Sequence, residues 1–149
     1  MNITKQNIIN FFKSEHVAVV GASAKSKKFG NDVIKELDKK GFKVYTIHKT
    51  ANELEGFKCY SKLSELPEQI QSIHISTNKA DTNGLVIEAK NKGIKNIWVQ
   101  QKSENEKTIK LADDCNLIIK ECLLMFLEQV KGGHKFHRAI KGLFGKLPK

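Results

Sequence analysis

The chain has no long apolar run and only three cysteines, and each absence argues against a class of protein. No eighteen consecutive apolar residues occur among its 149 residues and the N-terminus is polar, so we expect neither a membrane span nor a signal peptide. The cysteines are odd in number and never spaced C-x-x-C, which argues against a disulfide framework or a zinc ribbon. We therefore expect a cytoplasmic protein with reduced thiols and no metal site.

The chain also lacks the complete glycine signature of a dinucleotide site. An apolar strand at 16–20 breaks on Gly21, as in nucleotide-binding α/β domains, but the next glycine is Gly30 rather than the second glycine of G-x-G-x-x-G. Three lysines, Lys25, Lys27 and Lys28, lie in the loop between them. Backbone N–H groups near a helix N-terminus already favour an anion, so the added cations predict a multiply phosphorylated nucleotide.

The hydrophobic pattern along the chain predicts alternating helices and strands. Thr4 is expected to cap a helix over 5–13, and later helices are expected up to Lys39, over 80–92, and from Ser103 onward. Strands are predicted at 16–20, 42–47, 72–76, 94–99 and 117–119. This alternation predicts a Rossmann-like, doubly wound α/β fold with a mostly parallel five-stranded sheet and flanking helices.

Polar and basic residues follow the predicted strands, where open α/β sheets bind their ligands. An NAD site needs Asp or Glu after strand two to bind the ribose hydroxyls, but His48 and Lys49 stand there. A cation at this point suits a ribose that carries its own phosphate, which leaves coenzyme A and NADP as candidate ligands. Polar residues also follow strands three and four, namely Ser76, Thr77, Asn78, Gln100 and Gln101.

Charge divides the chain into a domain over 1–130 and a basic tail over 131–149. Basic residues number 26 against 16 acidic ones, a formal net charge of +10, and six of the basic residues lie in the acid-free tail. Apolar residues at helical spacing from Phe136 to Phe144 predict an amphipathic helix that packs on the same domain or on a partner. No specific nucleic-acid motif accompanies the charge, and a homodimer is the other partnership considered.

No catalytic constellation is predicted. Tyr60 has no lysine four residues later. Tyr45 has Lys49 at that spacing, but Tyr45 lies on a predicted strand, where residues four apart are about 13 Å apart and do not form the proton-donor pair of an NADP oxidoreductase. His74 alternates with apolar residues and is interpreted as a structural strand histidine rather than a general base. Cys122 is expected to pack with its apolar neighbours. The alternatives are a reactive thiol paired with His134 or His137, and a mixed disulfide between Cys122 and a ligand thiol.

The chain resembles the small stand-alone CoA-binding proteins that are similar to the N-terminal CoA-binding domain of the succinyl-CoA synthetase α subunit. The resemblance rests on 17–23 with Phe29-Gly30, on 41–45, 54–56 and 97–100, on Cys122 and on 133–138. It implies that the loop residues Gly21, Ser23, Ala24, Lys25 and Ser26 wrap the CoA phosphates. It also implies that Lys49 and Gln100-Gln101 approach the adenosine and pantetheine parts, without thioester-forming activity.

The sequence and the resemblance together predict non-catalytic binding of coenzyme A or an acyl-CoA, as in a sensor or regulatory module. The alternative is an NADP-binding oxidoreductase or an NADP-sensing protein. The predicted cofactor-binding residues are Gly21, Ala22, Ser23, Ala24, Lys25, Ser26, Lys28, Phe29, Gly30, His48, Lys49, Ser76, Thr77, Asn78, Gln100, Gln101 and Cys122.

Overall fold

The computed structural model describes residues 2–127, which form a seven-stranded sheet with helices on both faces. The basic tail over 131–149, with its expected amphipathic helix, lies outside the described residues. The helices are α1 (Lys5–Phe12), α2 (Phe29–Lys39), α3 (Lys79–Asn91), α4 (Glu106–Leu111) and α5 (Leu123–Leu127). The strands are β1 (His16–Val20), β2 (Lys43–Ile47), β3 (Glu53–Leu54), β4 (Phe57–Tyr60), β5 (Ser72–Ile75), β6 (Asn96–Val99) and β7 (Asn116–Ile118).

The sheet has the doubly wound topology that the sequence predicted. Its strand order is β3-β4-β2-β1-β5-β6-β7, and every pairing is parallel except that between β3 and β4. The chain first winds outward from β1 through β2 and then crosses to β5 on the other side of β1. The winding therefore reverses between β1 and β5, and the crevice for a ligand is expected at the carboxyl ends of these two strands.

Each face of the sheet has its own apolar core. On one face α1, α2 and α5 bury an aromatic cluster in which Phe11, Phe12 and Phe126 surround Trp98 at ring distances of 5.2 to 5.8 Å. On the other face, α3 and α4 pack on the alternate residues of the same strands, including Ile73 and Ile97. Strands buried on both faces explain the nearly continuous apolar runs in the sequence.

The strand count of five is corrected to seven, because a hairpin follows β2. Its two strands are two and four residues long, and the chain reverses at Glu55 and Gly56, both with positive φ angles of 51° and 86°. Two successive residues in the left-handed region are typical of a tight hairpin turn. The alternation of apolar and polar residues in these two strands is too short to be recognised in the sequence. The Glu-Gly pair between Leu54 and Phe57 is the local signal for the hairpin turn.

The start of α4 is also corrected, from Ser103 to Glu106. Asn105 caps this helix, because its side-chain oxygen accepts a hydrogen bond from the Thr108 backbone N–H at 3.0 Å. Ser103 is buried in the preceding turn, where its N–H donates to the Gln100 carbonyl oxygen at 2.9 Å. Among residues 2–127, no helix has the length and apolar character that crossing a bilayer requires.

Candidate functional site

The glycine loop after β1 is packed directly against the start of α2. Gly21 has φ of +113°, and a Cβ there would overlap the backbone oxygen of Ser76 at the end of β5. Gly30 lies in the first turn of α2, where a Cβ would lie 2.6 Å from the Ala22 nitrogen and from the Gly21 carbonyl carbon. The two glycines therefore allow the loop, the helix N-terminus and the neighbouring strand end to meet at backbone distance.

Asn31 holds this loop in one conformation. Its buried amide oxygen accepts hydrogen bonds from the N–H groups of Ser23, at 3.0 Å, and Lys28, at 3.1 Å. Its amide nitrogen donates to the Ser23 carbonyl oxygen at 2.9 Å. The Ser23 hydroxyl in turn accepts from the N–H groups of Lys25 and Ser26. These hydrogen bonds within the protein restrain the loop, which lowers the entropic cost of binding a ligand there.

The hairpin turn braces the same loop from outside. Glu55 accepts hydrogen bonds from the Asn31 amide at 2.9 Å and from the Lys35 ammonium at 3.1 Å. These two hydrogen bonds hold the pKa of the Glu55 carboxyl below its usual value, and the bond from Asn31 has the larger effect. The hairpin that the sequence analysis missed thus takes part in shaping the loop.

A cleft of about 960 Å³ opens between the carboxyl ends of the strands and α3, and Val20, the residue before the loop, lines it. This volume is at the upper end of the usual range for small-molecule sites. Of the predicted site residues, the cleft brings together His48, Lys49 and Thr77. The other lining residues are Val20, Ile47, Ser61, Lys62, Leu63, Ser64, Ala80, Asp81, Gly84, Leu85, Glu88, Asn91 and Lys92.

Gly84 gives the cleft an open wall in the middle of α3. Apart from the glycine, its two chain neighbours and the adjacent backbone of α3, no heavy atom of the described residues lies within 4 Å of the position that a Cβ would occupy there. A glycine inside a helix costs up to about 1 kcal/mol relative to alanine. The packing of residues 2–127 does not require this glycine, whereas a ligand that approaches the helix backbone would.

His48 replaces the acid expected in an NAD site with a group held in one tautomer. Its Nδ1 accepts hydrogen bonds from the backbone N–H groups of Thr50, at 3.2 Å, and Ala51, at 2.9 Å. Because these groups can only donate, Nδ1 carries no proton, and the neutral ring carries its proton on Nε2. At this position of the cleft, His48 thus offers its Nε2–H as a hydrogen-bond donor, where an NAD site would have a carboxylate.

The residues after β5 have local structural roles as well as a place at this edge. The Ser76 N–H donates to the Val20 carbonyl oxygen at 2.9 Å, which extends the pairing of β1 and β5 by one residue. Asn78 caps α3 through its side-chain oxygen, which accepts from the Asp81 N–H at 2.9 Å. The Thr77 hydroxyl forms a 2.9 Å hydrogen bond with the Thr82 hydroxyl. Among these, Thr77 is the residue that lines the cleft.

Gln100, Gln101 and Cys122 lie away from the cleft, toward the β7 edge of the sheet. Gln100 is buried directly after β6, Gln101 is exposed, and Cys122 is half-buried just before α5. The three cysteines are free thiols. Within residues 2–127, no group of three or more His, Cys, Asp or Glu side chains is arranged to hold a metal ion.

His74 is fully buried behind the loop, and its protonation is linked to folding. Burial is the main cause that lowers its pKa from 6.5 to about 4, while the hydrogen bond with Gln100 opposes the shift. Below pH 6.5 the unfolded chain takes up this proton while the folded chain does not until about pH 4, so stability falls as pH falls through that window.

We expect the free energy of unfolding to fall by about 2 kcal/mol between pH 8 and pH 5 because of His74. Urea denaturation of the wild type and of His74→Phe at pH 8, 7, 6 and 5 measures it. The variant should lose much less stability over this range, because it has no proton to bind at this position. Parallel pH dependences of the two proteins would contradict the assignment.

Comparisons with known proteins place the geometry in a family context. The family model described as "CoA binding domain" matches residues 15–128. The α subunit of acetate–CoA ligase [ADP-forming] II from Pyrococcus furiosus is 34% identical over 90 residues, which cover 60% of this chain and 20% of the relative. The acetate–CoA ligase [ADP-forming] II of Archaeoglobus fulgidus is 26% identical over 112 residues, 74% of this chain and 17% of the relative. The chain thus spans about a fifth of the length of these curated relatives.

Solved structures of similar size share the fold over most of this chain. A hypothetical protein from Pyrococcus horikoshii OT3 superposes with a TM-score of 0.76 at 26% identity, covering 97% of this chain and 94% of that one. A conserved hypothetical protein from Pyrococcus furiosus has a TM-score of 0.70 at 29% identity, with 74% and 97% covered. These two solved structures are thus small proteins, whereas the curated sequence relatives are larger CoA ligases.

Proposed function

Since the chain belongs to the CoA-binding domain family, we propose that it binds coenzyme A or an acyl-CoA across the carboxyl edge of its sheet. The observation that carries the proposal is the 960 Å³ cleft at the carboxyl ends of β1, β2 and β5, which is lined by Val20, the residue immediately before the glycine loop. A nucleotide with phosphates on the loop would extend its base into this cleft. The proposal concerns binding and not the ligase activity of the longer relatives.

The cleft suits an aromatic base with a phosphorylated ribose. Val20, Ile47, Leu63 and Leu85 supply apolar surface, and Gly84 leaves room beside α3 for a flat ring. Polar donors lie at its rim, as in most small-molecule sites. These features support the adenosine end of the ligand as its occupant.

The charges around the cleft and loop favour phosphate groups. Lys49 and Lys62 line the cleft and are exposed, whereas the third lysine, Lys92, is paired with Glu68 at 2.6 Å. On the loop, Lys25 and Lys28 are exposed beside ordered backbone N–H groups. Coenzyme A carries a pyrophosphate and a separate 3′-phosphate, so it offers an anion to each group of lysines.

The biological role that we propose is non-catalytic: the domain binds CoA or acyl-CoA and reports its level to a partner. The ordered loop and the open cleft favour reversible capture of a ligand, because little of the site must reorganise on binding. NADP remains the competing ligand, since it also carries a ribose phosphate.

Calorimetric titration with CoA, dephospho-CoA and NADPH at two salt concentrations tests the proposal. We expect CoA to bind at micromolar strength, dephospho-CoA to bind at least fivefold more weakly, and the difference to shrink at high salt because the phosphate contact is electrostatic. Preferential binding of NADPH, or no binding of CoA, would overturn it.

Lys49→Ala is expected to weaken CoA binding about five- to thirtyfold and to leave dephospho-CoA binding almost unchanged. A charge-assisted hydrogen bond to phosphate contributes roughly 1 to 2 kcal/mol at an exposed position. Lys43→Ala, at the opposite end of β2, is the matched control because it removes the same charge from the other edge of the sheet. Equal losses for both ligands would remove Lys49 from the 3′-phosphate site.

A further inference from the structure

Backbone chemistry fixes the orientation of the Gln100 side-chain amide. The Leu123 N–H lies 3.4 Å from the atom assigned as Gln100 Oε1. A backbone N–H can only donate, so the atom that faces it must be the amide oxygen and not the nitrogen. The orientation therefore follows from the contact and does not depend on how oxygen and nitrogen were assigned.

The same argument passes from Gln100 to His74. His74 Nε2 lies 3.3 Å from the same Gln100 oxygen, so this ring nitrogen must carry the proton. Its other ring nitrogen, Nδ1, is buried and has no hydrogen-bond partner among the described residues. Burial also keeps the ring neutral, because it lowers the pKa of His74 to about 4. Only one placement of protons is therefore allowed in this hydrogen-bond network: the Leu123 N–H and the His74 Nε2–H both donate to the Gln100 oxygen.

This arrangement leaves the Gln100 amide nitrogen as a fixed donor. Two donors occupy its oxygen, and within residues 2–127 no acceptor is bonded to its nitrogen, which is not among the fully buried unpaired atoms. Keeping an unpaired Nδ1 in the core is unfavourable, since a buried acceptor without a partner is destabilising. Phenylalanine would pack beside Phe29, whose ring centre is 6.1 Å from that of His74, without this penalty.

We propose that His74 is a positioning residue that holds the Gln100 amide so that its nitrogen donates a hydrogen bond to a carbonyl oxygen of the pantetheine arm. Gln100 follows β6, which lies two strands from β1 on the side away from the cleft. Two strand spacings are about 10 Å, which places the donor beyond phosphates bound at the glycine loop. In an extended CoA, the acceptors at this distance from the phosphates are the amide carbonyl oxygens of the pantetheine arm. In an acyl-CoA, the thioester carbonyl oxygen is a further acceptor. The inference rests on the proposed function, because it assigns a contact to the ligand proposed there.

Three variants test the proposal, and each replaces the side chain by one of similar size so that the packing around it is retained. Gln100→Glu keeps an oxygen for Leu123 N–H and His74 but replaces the outward donor with a carboxylate oxygen. His74→Phe removes the donor that orients Gln100, and His74→Gln restores a donor at similar reach. Gln71→Glu, an exposed position at the opposite edge of the sheet, makes the same charge change as the first variant and serves as control.

The readout is calorimetric affinity for CoA and for adenosine 3′,5′-bisphosphate, which lacks the pantetheine arm. We expect Gln100→Glu to weaken CoA binding more than tenfold and His74→Phe about fivefold, with partial recovery in His74→Gln and bisphosphate binding within twofold of wild type. Equal losses for both ligands, or no loss for CoA, would overturn the role of His74 and Gln100. Failure of the wild type to bind CoA would instead overturn the proposed function.

Nitrogen NMR of histidine-labelled protein gives a check that needs no ligand. His74 should show a protonated Nε2 and an unprotonated Nδ1 at neutral pH. The opposite tautomer would contradict the hydrogen-bond chain from Leu123, and the proposal would fail whatever the affinities show.

Discussion

Gly30→Ala should lower CoA affinity more than tenfold, even though alanine is the better helix former. The new Cβ would lie 2.6 Å from the backbone of Ala22 and Gly21, which cannot move aside without displacing the loop. Overpacking of this kind costs about 1 to 3 kcal/mol, which exceeds the helix-propensity gain of about 1 kcal/mol. Urea denaturation should show a net loss of stability, and calorimetry should show the loss of binding.

Gly84→Ala is the matched control for the stability measurement, because it makes the same change inside another helix. Beyond the adjacent residues of α3, its Cβ would meet no described atom within 4 Å, so this variant should gain up to about 1 kcal/mol in stability. If Gly30→Ala were as stable as the wild type and bound CoA normally, close contact between loop and helix would not be required for the site.

Gly84→Leu should abolish most CoA binding while the protein stays folded. The leucine side chain would extend from α3 into the cleft, where the proposal places the adenosine end of the ligand. Displacing even part of the base contacts should weaken binding at least tenfold, which corresponds to about 1.4 kcal/mol. Calorimetry with CoA and with adenosine 3′,5′-bisphosphate should show the same loss, because both ligands carry the base.

Ile87→Leu provides the control on the same helix, since Ile87 is 42% exposed and does not line the cleft. It should bind CoA like the wild type. Normal CoA binding by a folded Gly84→Leu protein would show that the base lies elsewhere, and the cleft would lose its proposed occupant.

The main strands and helices were predictable because their periodic patterns are long enough to read. The Thr4 cap of α1 is confirmed by its hydrogen bond from the Asn7 N–H, and the parallel order around β1 follows from the alternation of strands and helices. The β3–β4 hairpin was missed because β3 has two residues, too few to establish an alternation. The start of α4 was misplaced because Ser103 and Asn105 are both good capping residues, and the buried position of Ser103 is a tertiary effect.

The lining of the cleft was predictable at the strand ends but not where it depends on contacts between separate elements. The sequence pointed to His48, Lys49 and Thr77, which line the cleft, because residues after parallel strands share one edge of the sheet. It did not point to Gly84, whose open surroundings are a property of the folded helix and its neighbours. Asn31 and Glu55 were also missed as loop supports, since their 2.9 Å contact joins residues 24 positions apart.

His74 shows how a correct structural interpretation was still incomplete. The sequence analysis interpreted it as a structural strand histidine, and it lies in β5, fully buried. Its hydrogen bond to Gln100 joins residues 26 positions apart, and the unpaired Nδ1 depends on what packs around the ring. Neither feature leaves a trace in the local sequence.

The most direct test of the central claim is amide NMR of the full chain during titration with CoA. We predict saturable shifts in the amides of 21–30, of Thr77 and Gly84, and in the side-chain amide of Gln100, with none at the opposite edge of the sheet around Lys43 and Gln71. Absence of shifts at millimolar CoA, or saturable shifts confined to residues away from this edge, would contradict the account.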